Sequence, residues 1–180
     1  RSAGVMGKIY KNYAKSVVFI YNATEGDEGL GAGFLVDRSG VIITNWHVTN
    51  KADEVFIWVL ADDGPVSIDQ MFKDVQPYFG LVFAEDKKKD LSLVKVNGLP
   101  KDLNVIEFGT NDDVEIGDTV FAIGHPSSFP WTITEGKISQ IRKNHIWTYA
   151  DGTEHQATLI QHQVPISPGS SGGPLFNDKI

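Results

Sequence analysis

The sequence predicts an all-β fold of two β units in tandem, preceded by a short N-terminal helix. From residue 15 onward, short runs of β-branched and aromatic residues recur between Gly, Asp and Asn turn residues, a pattern typical of antiparallel strands. A turn-rich connection at 98–104 separates these runs into two series. Before residue 15 the apolar spacing is helical instead, and it places apolar groups on one side of a short helix, at Val5, Ile9, Tyr10 and Tyr13.

The two series of strands define the expected domain organisation. In the first series we predict strands at about 15–21, 32–37, 40–45, 54–60, 64–70, 79–84 and 91–96. In the second series we predict strands at about 105–109, 118–124, 131–139, 145–149, 157–164 and 172–177. Since exposed strand edges must be hidden, each unit is expected to close as a barrel or to fold as a sandwich. We therefore expect a first unit with the N-terminal helix at 1–100 and a second unit at 101–180.

Composition excludes several classes of protein and site. The chain has 180 residues, of which 41% are apolar and 22% charged, so it can bury a sizeable core. Its net charge is −7 and its basic residues are scattered apart from 87–89, which argues against a nucleic-acid partner. The absence of cysteine excludes disulfides, thiol catalysis and cysteine-based metal sites. No apolar run reaches the ~18 residues of a membrane helix, so membrane insertion is not expected.

The stretch 166–174, Ile-Ser-Pro-Gly-Ser-Ser-Gly-Gly-Pro, is the most informative in the chain. Its glycines, Gly169 and Gly172, permit backbone conformations that residues with a Cβ avoid, so the stretch is typical of a tight turn that presents the Ser171 hydroxyl above backbone amides. A flexible Gly/Ser linker is the alternative, but apolar segments on both sides favour a turn between strands. A nucleophilic serine also needs a base and an orienting acid.

Two segments offer candidates for that base and that acid. His47 directly follows a predicted strand, where its side chain can reach a cleft, although a purely structural histidine is the alternative. Asp90 directly precedes the alternating strand 91–96 and can be half-buried beside an imidazole. The alternative for Asp90 is a solvated position in the charged loop that also contains Asp86.

The four remaining histidines suggest no metal site. His125 follows an apolar strand and precedes a proline, so we interpret it as a turn residue. The other three, His145, His155 and His162, lack metal-ligand spacing and are expected on the surface or in strands. The chemistry of a serine, a histidine, an aspartate and water is sufficient by itself. We therefore expect neither a metal nor an organic cofactor.

Five segments, taken in order, resemble the successive signatures of the trypsin-like serine proteases, and within them the HtrA/Deg branch. They are Gly-Ala-Gly-Phe-Leu-Val (31–36), Ile-Thr-Asn-Trp-His-Val (43–48), Asp-Lys-Lys-Lys-Asp-Leu-Ser-Leu-Val-Lys-Val (86–96), Gly-Asp-Thr-Val-Phe-Ala-Ile-Gly-His-Pro (117–126) and Pro-Gly-Ser-Ser-Gly-Gly-Pro-Leu (168–175). The resemblance covers about 15–177 and implies two packed antiparallel β-barrels with an active site between them. It also implies a His47–Asp90–Ser171 triad that hydrolyses peptide bonds through an acyl-enzyme.

The resemblance further implies the residues that surround the triad. An oxyanion hole is expected from the amides of Gly169, Ser170 and Ser171, and substrate-binding positions are expected at Pro165, Ile166, Ser167 and Pro168. Since Pro165 and Ile166 carry no charge, cleavage after small or medium aliphatic residues is expected. The family also implies unfolded or misfolded polypeptides as substrates, a homotrimer through the N-terminal segment, and a periplasmic or other extracytoplasmic bacterial compartment.

The chain departs from the family pattern in several places. Ser170 stands where the family often has Asn, Trp46 is bulkier than usual, and the link at 61–84 is long. The chain ends nine residues after Ser171, whereas the family continues with strands and often with PDZ domains. We therefore expect an incomplete second barrel that is inactive by itself. A protease-fold chaperone or binding module with little hydrolytic activity stays an alternative, and a purely structural β domain is a weaker one.

Overall fold

The computed structural model describes residues 4–165 and 169–179. Its helices are α1 (Val5–Tyr13), α2 (Trp46–Thr49) and α3 (Ile68–Asp74), with 3₁₀ turns at Ala14–Ser16, Asn111–Asp113 and Pro126–Ser128. Its strands are β1 (Val17–Asn22), β2 (Gly29–Asp37), β3 (Val41–Thr44), β4 (Glu54–Trp58), β5 (Tyr78–Asp86), β6 (Leu91–Val96), β7 (Thr119–Gly124), β8 (Thr132–Thr148), β9 (Glu154–His162) and β10 (Leu175–Phe176). The all-β prediction with a short N-terminal helix is confirmed.

Strands β1 to β6 form a closed antiparallel barrel in the order β1-β2-β3-β6-β5-β4. Successive side chains on a strand point to opposite faces of the sheet, so alternate residues fill the interior. The buried interior residues include Val18, Ile20, Leu35, Ile42, Ile57 and Val94. Closure pairs every strand on both sides, so this unit presents no free strand edge.

The second unit is an open sheet of four strands in the order β10-β7-β8-β9. The expected incomplete second barrel is therefore confirmed. The predicted strands at 131–139 and 145–149 are one continuous strand, β8. Its first part pairs with β7, while from Arg142 onward it pairs only with the facing part of β9, up to Leu159. We call this two-stranded projection, 142–159, the arm.

Two predicted strands are wrong. The segment at 64–70 alternates in polarity, but 64–67 are irregular and α3 begins at Ile68, where the Ser67 hydroxyl accepts a hydrogen bond from the Gln70 amide at 3.1 Å and caps the helix. Burial of Met71 against Trp58 and neighbouring aromatic residues holds this helix on the outside of the barrel. The segment at 105–109 is irregular. Among the described residues, no helix is long and apolar enough to span a membrane.

A buried histidine joins the two units. His125, expected in a turn, follows β7 but is only 1% exposed. Its Nε2–H donates to the Val18 carbonyl at 3.0 Å, and its Nδ1 accepts from the Trp131 amide at 2.9 Å. Trp131 also donates its indole N–H to the Val17 carbonyl at 2.7 Å. Burial lowers the pKa of His125 to about 4, so the ring is neutral at pH 7.

Candidate active site

A cleft of about 520 Å³ lies between the barrel and the open sheet, and residues from three distant segments line it. His47 comes from α2, directly after β3, and Asp90 from the turn before β6. Ser171 comes from the loop before β10. The predicted base, acid and nucleophile therefore border the same cavity.

His47 and Asp90 form a hydrogen-bonded pair. The His47 Nδ1–H donates to Asp90 Oδ2 at 2.7 Å, and the His47 backbone amide donates to Asp90 Oδ1 at 2.9 Å. Because an ionised carboxylate only accepts hydrogen bonds, the proton of the neutral imidazole is on Nδ1. The Nε2 lone pair is then left to accept a proton.

The carboxylate of Asp90 is buried, and its surroundings favour the ionised form. The side chain is only 4% exposed. Burial alone would raise the pKa of Asp90, but hydrogen bonds from the His47 ring and amide, the electrostatic attraction of the His47 ring and a hydrogen bond from Tyr149 together hold this pKa below its usual value. The Asn45 side chain donates to the Asp90 carbonyl at 2.8 Å and fixes the backbone that carries this carboxylate.

Two glycines and one backbone hydrogen bond shape the loop that carries Ser171. The Ser171 carbonyl accepts from the Ala32 amide of β2 at 2.7 Å. Gly172 has a φ of +90°, and a Cβ there would lie 2.0 Å from the Ala32 carbonyl oxygen. Gly169 has a φ of +100°, and a Cβ there would lie 2.2 Å from the His125 carbonyl oxygen. Only glycine fits either position.

Three backbone amides and one hydroxyl of this loop bear on the predicted chemistry. Within 4–165 and 169–179, no acceptor takes the backbone amides of Gly169, Ser170 or Ser171. Among the same residues, no hydrogen bond joins the Ser171 hydroxyl to the His47 ring.

Uncharged side chains form much of the cleft wall near Ser171. They include Ala122, Ile123, Thr132, Thr134, Ala157, Leu159 and Leu175. Pro165 also lines the cleft, and its carbonyl accepts a hydrogen bond from the Thr134 hydroxyl at 3.4 Å. The other predicted substrate-binding positions, 166–168, lie outside the described residues. In the part of the chain that the structure describes, no cluster of three or more His, Asp or Glu side chains could hold a metal ion.

Sequence reasoning missed the contribution of the arm. Tyr149 donates its phenol hydrogen to Asp90 Oδ2 at 2.9 Å, and its ring centroid lies 5.3 Å from that of His47. His155 lies in β9 but is fully buried, not at the surface. Its Nδ1–H donates to the Lys87 carbonyl at 2.5 Å. No local pattern signals these contacts, because each joins residues more than fifty positions apart.

The chain is similar to known peptidases over most of its length. Residues 31–179 match the family described as "Trypsin-like peptidase domain". The "Probable periplasmic serine endoprotease DegP-like" of Pseudomonas fluorescens is 36% identical over 150 residues, which are 83% of this chain and 27% of that protein. "Protease Do-like 1, chloroplastic" of Arabidopsis thaliana is 31% identical over 181 residues, which are 94% of this chain and 38% of that protein.

A solved structure shows the same fold. The crystal structure of Deg5 superposes with a TM-score of 0.72 at 26% sequence identity, and the match covers 95% of this chain and 78% of Deg5. The chain thus spans most of that structure, but only 27% and 38% of the two curated relatives.

Proposed function

The chain belongs to the trypsin-like peptidase family, in its HtrA/Deg branch, and on that premise we propose that it acts as a serine endopeptidase. The observation that carries the proposal is the 2.7 Å bond between His47 Nδ1 and Asp90 Oδ2 at the wall of the cleft that Ser171 also lines. A histidine held in this tautomer keeps its Nε2 available to act as a base toward a serine hydroxyl.

In the proposed reaction, Ser171 Oγ attacks the carbonyl carbon of a peptide bond while His47 Nε2 accepts the hydroxyl proton. The C–N bond then breaks, and His47 returns the proton to the leaving amine, which gives an acyl-enzyme. A water molecule then attacks the acyl-enzyme in the same way, with His47 accepting its proton and returning it to Ser171 Oγ. This step releases the carboxylic acid product. Asp90 stays ionised throughout and stabilises the imidazolium that forms, a role that fits its lowered pKa.

The developing negative charge on the carbonyl oxygen would be met by amides of the 169–171 loop. These amides have no acceptor among the described residues. In measured cases one such donor contributes about 3–4 kcal/mol to the stabilisation of the transition state. The glycine at 169 is compatible with this assignment, because its φ of +100° is a backbone conformation that residues with a Cβ rarely adopt.

For substrates, we propose cleavage after small or medium aliphatic residues of unfolded or misfolded polypeptides. The uncharged wall formed by Ala122, Thr134 and Ala157, with Pro165 at its edge, supports the aliphatic preference because a Lys or Arg side chain would find no counter-ion there. A peptide-library profile of the full-length protein should show Val and Ala before the cleaved bond. Preferential cleavage after Lys or Arg would contradict this preference.

The central experiment replaces the nucleophile. Ser171→Ala in the full-length protein should abolish hydrolysis of denatured casein and covalent labelling by a fluorophosphonate probe, because the alanine has no hydroxyl to react. Ser139→Ala, a matched change on β8 outside the cleft, should leave both intact. Turnover at the wild-type rate in Ser171→Ala would refute the endopeptidase proposal.

One observation favours a second function, the holding of unfolded chains. Phe79, Leu81 and Phe83 are 59%, 55% and 55% exposed and alternate along β5, so they share one outer face. Exposed apolar surface of this kind binds other apolar chains. If the Ser171→Ala protein suppresses aggregation of a denatured substrate, adding Leu81→Ser and Phe83→Ser should weaken that suppression. Equal suppression with and without the two serines would remove this second candidate.

We also propose an extracytoplasmic location, supported by the relative that is named periplasmic.

A homotrimer through the N-terminal segment stays a prediction, and size-exclusion chromatography with light scattering of the full-length protein tests it. Truncation of α1 should yield monomers if the segment forms the contact. A monomeric wild-type protein would contradict the trimer.

A further inference from the structure

We propose that Tyr149, at the tip of the arm, is a positioning residue that fixes the orientation of the Asp90 carboxylate and through it the His47 ring. This inference rests on the proposed serine endopeptidase function. It adds to that function a residue from the second unit that acts on the base and acid of the first. Tyr149 does not touch the peptide bond, so its effect passes through Asp90.

The geometry divides the work between the two carboxylate oxygens. Oδ1 accepts only from the His47 backbone amide, at 2.9 Å, among the described residues. Oδ2 accepts from two side chains, the His47 ring at 2.7 Å and the Tyr149 hydroxyl at 2.9 Å. Rotation of the His47 ring breaks the hydrogen bond from the imidazole to Oδ2. The phenol is anchored on another element and holds Oδ2 in place independently of the ring.

The arm is itself held against the turn that carries Asp90. The backbone at Tyr149 is therefore fixed relative to that turn. The Gln156 amide donates to the Lys88 carbonyl at 2.7 Å, and the His155 Nδ1–H donates to the Lys87 carbonyl at 2.5 Å. His155 is fully buried, and its ring centroid lies 4.7 Å from that of Tyr149. Two backbone carbonyls just before Asp90 are thus tied to the strand that follows Tyr149.

The phenol is suited to a permanent donor role. Burial raises the pKa of Tyr149, and the nearby Asp90 carboxylate raises it further, so the hydroxyl keeps its proton at neutral pH. A hydrogen bond to an ionised acceptor is stronger than one between neutral groups. Tyr149 therefore restrains a buried carboxylate that would otherwise depend on His47 alone for Oδ2.

The test is Tyr149→Phe in the full-length protein, with Tyr10→Phe as the matched control. Tyr10 also donates its phenol hydrogen, to the Trp131 carbonyl at 2.8 Å, but it lies outside the cleft. Tyr149→Phe should lower kcat by roughly 10-fold with KM nearly unchanged, the scale of one hydrogen bond to a charged group. A ¹³C-carboxyl NMR titration should show a higher pKa for Asp90 in this variant, since one stabilising donor is gone.

Tyr10→Phe should change neither kcat nor the Asp90 titration. If Tyr149→Phe matches wild type in kcat and in the Asp90 titration, the positioning role is wrong while the endopeptidase proposal stands. If instead the wild-type protein hydrolyses nothing, the endopeptidase proposal fails, and the Asp90 titration still decides whether Tyr149 holds the carboxylate. A lower kcat with an unmoved titration would indicate a structural role of the arm and would also overturn the inference.

Discussion

The barrel and the open sheet solve the problem of strand edges differently, and the two units carry different parts of the site. The barrel closes on itself through six strands and presents His47 and Asp90 directly after β3 and directly before β6. The open sheet has four strands and carries Ser171 in a glycine-rich loop. The groups that would handle the proton are thus supported by a closed interior, whereas the serine loop depends on contacts with its neighbours.

Those contacts reach back to the barrel. The Ser171 carbonyl accepts from the Ala32 amide, and the arm donates to the turn before Asp90. His125 contributes a third connection through the Val18 carbonyl. The comparison indicates that contacts with the barrel hold the site residues of the open sheet in place. Three changes can test this dependence.

The largest effect is expected from emptying the barrel interior. Ile42→Ala removes a fully buried side chain of β3 and should lower the free energy of unfolding by about 4 kcal/mol, through lost burial and the cavity that remains. The matched change on the arm, Ile146→Ala, removes a side chain that is 54% exposed and should cost less than about 1 kcal/mol. Urea unfolding followed by circular dichroism measures both. Equal losses would show that the two regions do not differ in packing.

A smaller effect is expected from separating the serine loop from the barrel. Gly172→Ala places a Cβ 2.0 Å from the Ala32 carbonyl oxygen at a φ of +90°, so strain and overpacking should together cost about 3 kcal/mol. Gly152→Ala is the matched control, because Gly152 has a φ of +84° but open space around it. It should cost about 1 kcal/mol. Thermal unfolding compares the two variants. The same loss of stability in both would argue against close packing of the serine loop on β2.

The smallest effect is expected from the buried histidine that joins the units. The pKa of His125 is about 4 in the folded protein and 6.5 as its ordinary value. As pH falls from 6.5 toward 4, the unfolded chain binds a proton that the folded chain excludes, so stability falls. Between pH 7 and pH 5 this contribution amounts to about 2 kcal/mol.

His125→Gln cannot take up that proton, so its unfolding free energy should fall less between pH 7 and pH 5 than that of the wild type. Urea titrations at both pH values measure the difference. His145→Gln, at an exposed histidine of the arm, is the matched control for the loss of an imidazole. If the unfolding free energy of His125→Gln falls with pH as much as that of the wild type, the buried ring does not cause the loss of stability at low pH.

Local pattern predicted the fold well where each strand has its own signal. The alternation in 91–96 and the turn residues between the runs at 32–37 and 40–45 predict β6 and the β2–β3 pair correctly, since hydrophobic period and turn residues are local properties. The strand predicted at 64–70 was wrong because Val66 and Ile68 alternate, whereas burial of Met71 selects a helix. Tertiary packing here overrides the local pattern.

The site was predicted only in part, for the same physical reason. His47, Asp90 and Ser171 each follow or precede an element with a clear pattern, so their positions at element ends are visible in the sequence. Tyr149 is not, because its contact with Asp90 depends on β8 continuing unbroken past Arg142. Two predicted strands with a break between them would have left the tip of the arm far from the cleft.

The bond from the Ala32 amide to the Ser171 carbonyl has a consequence for the order of events during synthesis. Ala32 is fully buried, and a buried backbone donor must be paired. As the polypeptide leaves the ribosome, β1 to β6 are available long before residue 171 appears. The Ala32 amide of the nascent barrel therefore stays hydrated until its distant acceptor is translated, and the cleft is assembled late.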